Sequence, residues 1–149
     1  MPVHTWTVTV DRRPDVVFAY LTSMSSHGEW SPRPYRIEPL EGDGEARVGA
    51  RFRSIGWIPG DKHHENEVEI TRLDPPTHFG FTALEKGEAF KHEFILTPTT
   101  GGTIVQRRVE SPQPTGMFRV VYPFVWLLVI KPEVQKDLES FRTRCEAST

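Results

Sequence analysis

The chain has 149 residues and a mass of 17.1 kDa, the size of one domain with room for an apolar core. With 37% hydrophobic residues, 26% charged residues and one cysteine, it is not a disordered chain, a collagen or a disulfide-stapled miniprotein. Its 18 Lys plus Arg against 20 Asp plus Glu leave a formal charge of −2, which lacks the basic footprint that phosphate backbones demand, so no nucleic-acid partner is expected.

The first residues, MPVHTWTVTVD, have no basic flank, apolar stretch and small-residue cleavage site in sequence, so the expected location is cytoplasmic. Trp6, Val8 and Val10 alternate with Thr5, Thr7 and Thr9, the period of a half-buried strand. From Pro14 the spacing becomes helical through Val17, Phe18 and Leu21, with proline in the first turn and Asp15 favouring the helix dipole. Ser25 to Trp30 predicts a second short helical piece, closed by Pro32 and Pro34.

Six more extended segments follow, over 35–41, 48–58, 63–73, 77–84, 88–97 and 103–110. Gly42 with Gly44, Pro59 with Gly60, Pro75 with Pro76, Gly87 and the loop from Pro98 to Gly102 separate them as the turns of an antiparallel meander. Beyond Pro112 the helical period returns in Phe118, Val121, Tyr122, Val125, Leu128 and Val129, then Val134, Leu138 and Phe141. Pro123 and Pro132 are expected to kink or interrupt this long C-terminal helix. The apolar stretch 120–130 is roughly half the ~20 residues of a bilayer span. It therefore predicts a buried or gripping helix, with peripheral membrane contact as the alternative and no stable membrane insertion.

Seven antiparallel strands and one amphipathic helix predict an α+β helix-grip, a curved sheet wrapped around the C-terminal helix, with two short helices between strands 1 and 2. In its order of segments the chain resembles the START-like SRPBCC superfamily, and within it the polyketide cyclase/dehydrase and lipid-transport family. The stretches that carry the resemblance are RRPDVVFAYLTSMSSHGEW, VGARFR, VEITRLDPPTHFGF, LTPTTGGTIVQ and KDLESF, and together they cover nearly the whole of 1–149 as one domain. The resemblance implies a hydrophobic cavity between sheet and helix and implies no single catalytic motif.

Strand phase indicates which side chains face such a cavity. Around the loop ending at Gly101 and Gly102, pairing Leu96 with Thr103, Phe94 with Val105, His92 with Arg107 and Phe90 with Val109 aligns the apolar phases and makes His92 and Arg107 inward neighbours. Asn66, Val68 and Ile70 share a phase with His64, and Phe79 shares one with Phe81. Trp30, Phe118, Tyr122 and Trp126 complete the expected ligand-binding set. Trp57 is ambiguous, because the phase of Phe52 turns it out and that of Ile55 turns it in.

The catalytic candidates are His92, Arg107 and His64, each with a structural alternative. Arg107 either meets a ligand anion, or it is a strand-end residue at the solvent rim or is paired structurally with a glutamate. His92 either moves protons, kept neutral by Arg107, or is a polar lining residue. His63, His64 and Glu65 resemble metal ligands, but successive strand residues point to opposite faces, so no metal is expected. Glu65, Glu67 and Glu69 lie opposite the apolar phase and read as a solvated face, and Cys145 reads as an incidental thiol. No dinucleotide fingerprint, phosphate loop or nucleophile elbow occurs, so no cofactor is expected. The expected function is binding or transport of a lipid-like, polyketide or aromatic small molecule. The alternative is a polyketide cyclase or dehydratase that uses a pocket histidine and arginine. A homodimer through the sheet face or the apolar helix is left open.

Overall fold

Alternation along each strand divides the sheet into a wet face and a dry one. In β1 (Val3–Val10) Trp6, Val8 and Val10 are buried while Thr5, Thr7 and Thr9 are exposed. The computed structural model describes residues 3–27, 35–58, 61–85, 87–113 and 116–148. The side chains of Ser25, Tyr35, Trp57, Ile58, residues 61–64, Glu85 and Phe118 lie outside the description. Helix α1 (Pro14–Thr22) begins on its proline and buries Val17, Phe18 and Leu21, and a 3₁₀ turn (Met24–Ser26) follows. This turn and the helical His27 after it are the described part of the second helix expected over 25–30.

Strands β2 (Tyr35–Pro39), β3 (Arg51–Ile58), β4 (Asp61–Asp74), β5 (His78–Glu85), β6 (Glu88–Pro98) and β7 (Thr103–Glu110) complete a seven-stranded sheet in the order β1-β7-β6-β5-β4-β3-β2. All neighbours are antiparallel. Between β4 and β5 the register steps from Ile70 opposite Phe81 to Arg72 opposite Gly80, leaving Thr71 as an extra residue that bends β4. A second irregularity lies between Gly56 and Ile58. Both increase local twist and help the sheet curl around a helix.

That helix runs from Phe118 to Ser148 as α2 (Phe118–Val125), a wide π turn (Trp126–Ile130) and α3 (Lys131–Ser148). Neither proline ends it. The Lys131 N–H donates to the Trp126 carbonyl, five residues back. This widening directly precedes Pro132, which lacks an N–H and would press on the Leu128 carbonyl in a regular helix. Leu138, Phe141 and Cys145 of α3 are fully buried against the sheet and α1, and Tyr20 packs on Phe141 with ring centroids 5.6 Å apart. Cys145 is thus a core residue, its thiol pushed up to about 11 by burial. The stretch 120–130 departs from the expected burial: Val120, Val121, Phe124, Leu127, Leu128 and Val129 are exposed.

The β6–β7 register also differs from the sequence expectation. Leu96 stands opposite Val105, Phe94 opposite Arg107, and His92 opposite Val109. The pairing slips by two because the loop keeps four residues, Thr99 to Gly102, closed by the Thr99 N–H donating to the Gly102 carbonyl at 2.9 Å. A two-residue slip preserves the facing of every side chain, so His92 and Arg107 still share the concave face. Gly102 abuts the end of β1, where an added Cβ would collide with the Val10 carbonyl oxygen. Gly101 has nothing within 4 Å. Gly102→Ala is therefore expected to destabilise the protein by about 1–3 kcal/mol in urea melts, with Gly101→Ala near neutral. Equal effects at the two positions would contradict the close approach.

Candidate functional site

Between the concave face and the C-terminal helix lie two compartments. The inner one, about 240 Å³, is lined by Asn66, Val68, Phe81, Ala83 and Phe94 of the sheet, with Ser54, His27 and Asp137 at its polar side. The outer one, about 400 Å³, is walled by Trp6, Phe90, Val109, Tyr122, Trp126, Ile130 and Val134. His92 and Arg107 line both compartments. The outer wall is aromatic: His4 stacks on Trp126 at 3.5 Å between centroids, and Trp6 lies 5.2 Å from the same indole. Trp6 also fixes the helix, its indole N–H donating to the Lys131 carbonyl at 3.2 Å.

Antiparallel pairing builds the junction of the two compartments. β7 sets Arg107 opposite Phe94, and the guanidinium carbon rests 5.5 Å from the Phe94 ring centroid, within reach of a cation–π contact. One register step away His92 stacks on Phe81, with centroids 4.6 Å apart and 12° between planes. Arg107 Nη2 lies 3.5 Å from His92 Nδ1. Arginine can only donate, so Nδ1 presents its lone pair and the proton of the neutral ring sits on Nε2. At that length the contact is weak and chiefly electrostatic.

Burial and, second, the Arg107 charge push His92 down to about 3. His27 is buried at the end of the 3₁₀ turn, and its Nε2–H donates to the Leu21 carbonyl at 2.7 Å. Burial, partly opposed by that bond and reinforced by Arg107, pushes it down to about 4. His92 and His27 are thus neutral at neutral pH beside the Arg107 cation, with the Asp137 carboxyl in the same inner lining. Among the described residues, the Asn66 Oδ1 and Ser111 Oγ atoms are buried without a hydrogen-bond partner, one in each compartment. Such atoms are satisfied by water or by a ligand.

Of the residues expected at the site, Asn66, Val68, Phe81, Phe90, His92, Phe94, Arg107, Tyr122 and Trp126 line one compartment or both. Ile70, Phe79 and Val105 share the concave face but are fully buried core and line neither. Their correction is one of depth: period two reports the face of a sheet and not what lies over it. Trp30 falls outside the described residues, as do the side chains of His64, Phe118 and Trp57. His27, His4 and Asp137 were not anticipated. Asp137 had a readable signal, standing three residues after Val134 on the stripe that continues to Leu138 and Phe141. His27 had none, because no periodicity governs a three-residue turn.

A curved antiparallel sheet gripping one helix around an apolar cavity defines the helix-grip, START-like class of SRPBCC proteins. The chain matches the polyketide cyclase/dehydrase and lipid transport family over residues 1–146, and it belongs to that family. Among solved structures it is similar to the protein TTHA0849 from Thermus thermophilus, with a TM-score of 0.77 at 14% identity over 99% of both chains. CV1439 from Chromobacterium violaceum gives 0.74 at 18% identity, over 98% of this chain and 99% of that one. A norcoclaurine synthase point mutant from Thalictrum flavum, in complex with a transition-state analogue, gives 0.73 at 16% identity, over 99% and 96%. At these identities the likeness shows the fold alone. No curated protein sequence matches the chain.

The buried histidines make stability depend on pH. Both have an ordinary value of 6.5 and folded values near 4 and 3, so between these limits the unfolded chain binds more protons than the folded one. Stability is therefore complete above 6.5 and falls as pH drops towards the folded values. Urea midpoints are expected to decline between about pH 6.5 and 5, where most carboxylates are still ionised, and His27→Gln/His92→Phe should flatten that slope. An unchanged slope in the double variant would show that neither ring is held neutral by the fold.

Proposed function

We propose that residues 1–149 act as one cytoplasmic ligand-binding domain for a small hydrophobic molecule, lipid-like, polyketide or aromatic. Its apolar body would lie against the aromatic outer wall, with a carboxylate, phenolate or carbonyl oxygen at Arg107. The observation that carries this reading is the position of Arg107, a guanidinium shared by a largely apolar outer compartment and a more polar inner one that also holds Asp137. A charge kept in such a lining gains most from an oxygen acceptor that arrives already stripped of water. The orphaned Asn66 and Ser111 atoms supply further polar contacts on either side.

The geometry favours binding over cyclisation. A general base works best with a pKa near the working pH, whereas His92 is pushed down to about 3 and turns its Nδ1 lone pair to a guanidinium. His27 commits its Nε2–H to a backbone carbonyl. Both rings are therefore placed to hold hydrogen bonds more than to carry protons. An aldol-type cyclisation of a poly-β-ketone that disappears in His92→Ala, with binding retained, would reverse this preference.

Two probes of similar shape separate charge from packing: anionic anilinonaphthalene sulfonate and uncharged N-phenyl-1-naphthylamine. Arg107→Met is expected to weaken the sulfonate by about 1.5–3 kcal/mol, roughly 10- to 150-fold, and to leave the neutral amine nearly unchanged in fluorescence titrations. Equal losses for both probes would reduce Arg107 to a packing residue, and no loss for either would place it outside the site.

A further inference from the structure

The same helix that closes the outer compartment presents a second surface, and it is apolar. Met117, Val120, Phe124, Leu127 and Leu128 are 86, 72, 66, 59 and 73% exposed and recur at helical spacing. Bulky apolar side chains gathered on one helix face mark an interaction site, whereas scattered ones are ordinary. Charge indicates the partner. Residues 111–132 contain no aspartate or glutamate, although the chain as a whole carries 20 of them, and they contain Arg119 and Lys131. Both cations are exposed, one near each end of the stripe.

We propose that this stripe docks on the surface of a bilayer containing anionic lipid, with α2 and the π turn lying in the interface and Arg119 and Lys131 reaching the headgroups. No described helix is long and apolar enough to cross a membrane, but an interfacial helix needs only an apolar face that sinks to the headgroup boundary and cations beside it. Long basic side chains keep their charge at the surface while their stems stay in apolar contact. A second copy of the chain fits less well. Two stripes paired antiparallel about a two-fold axis would bring Arg119 of one copy towards Lys131 of the other, in a segment that offers no carboxylate to either. Docking would also place the wall formed by Tyr122, Trp126 and Ile130 directly behind the membrane contact. The surface lies outside the cavity, so this inference stands or falls separately from the proposed ligand binding.

Flotation of the full chain with vesicles of phosphatidylcholine and phosphatidylglycerol at 70:30 provides the test, beside vesicles of phosphatidylcholine alone. Binding to the mixed vesicles is expected, weakened about tenfold or more when the anionic lipid is omitted. Phe124→Asp/Leu128→Asp should abolish flotation, and Arg119→Glu/Lys131→Glu should remove the preference for anionic lipid. Retained N-phenyl-1-naphthylamine binding in the cavity would show that the variants are folded. Failure of the unaltered chain to float with either vesicle would overturn the proposal. So would dimerisation in sedimentation velocity that the Asp pair eliminates. Flotation without any cavity binding of the amine would leave docking intact and remove the ligand-binding reading alone.

Discussion

The architecture turns on how much of the concave face one helix can cover. α3 supplies a dry stripe in Leu138, Phe141 and Cys145, and burying Leu and Phe side chains of this kind is worth about 1.5–3 kcal/mol each. That stripe satisfies only one end of the sheet. At Lys131, where the indole of Trp6 donates to the backbone carbonyl, the helix changes from a buried rod to a wall that leans over open space. The π turn, Pro132 and the Trp6 contact fall within a few residues of each other, so the chain spends its irregularities at the point where the core ends and the cavity begins.

Inside that space polar groups are arranged by dependence on Arg107. A partly enclosed guanidinium is costly unless aromatic faces and acceptors surround it, and here Phe94 and the His92 lone pair are both within its reach. Its charge in turn helps keep His92 and His27 neutral, which removes the repulsion that a second cation would bring. Removing Arg107 would therefore alter two histidines as well. The convex face follows different rules: Arg51 with Glu67 and Arg72 with Asp74 are solvated, screened pairs that keep that side wet without fixing the fold.

What the sequence made legible follows from the symmetry of the strand. Period two assigns faces, and faces survive a register error of two, so His92 and Arg107 could be placed together even though their partners across the ladder were misread. The loop that caused the slip was not readable, because Gly102 is required by the Val10 carbonyl on another strand and not by its own neighbours. Depth was not readable either: Val68 lines the cavity and Ile70, two residues on, is sealed core. The helix posed the same problem in reverse. Periodicity identified an apolar stripe from Phe118 onwards but carried no information on how much of it the sheet covers, and over 120–129 it meets only the side that carries Tyr122 and Trp126.

Two features set against the ordinary sorting of side chains therefore stand on opposite sides of one thin wall. A cation is held inside, where burial penalises charge, and a row of large apolar side chains is held outside, where water penalises them. The exposed row does not help the chain fold, and folding alone would be better served by lysines along α2. Local conflicts with the global pattern concentrate where a protein meets something other than itself. With Tyr122 and Trp126 turned inward and Phe124 and Leu128 turned outward on the same two turns, the wall has an aromatic inner face and an apolar outer one. The two faces lie back to back where the helix is least regular and its hydrogen-bond ladder is widened.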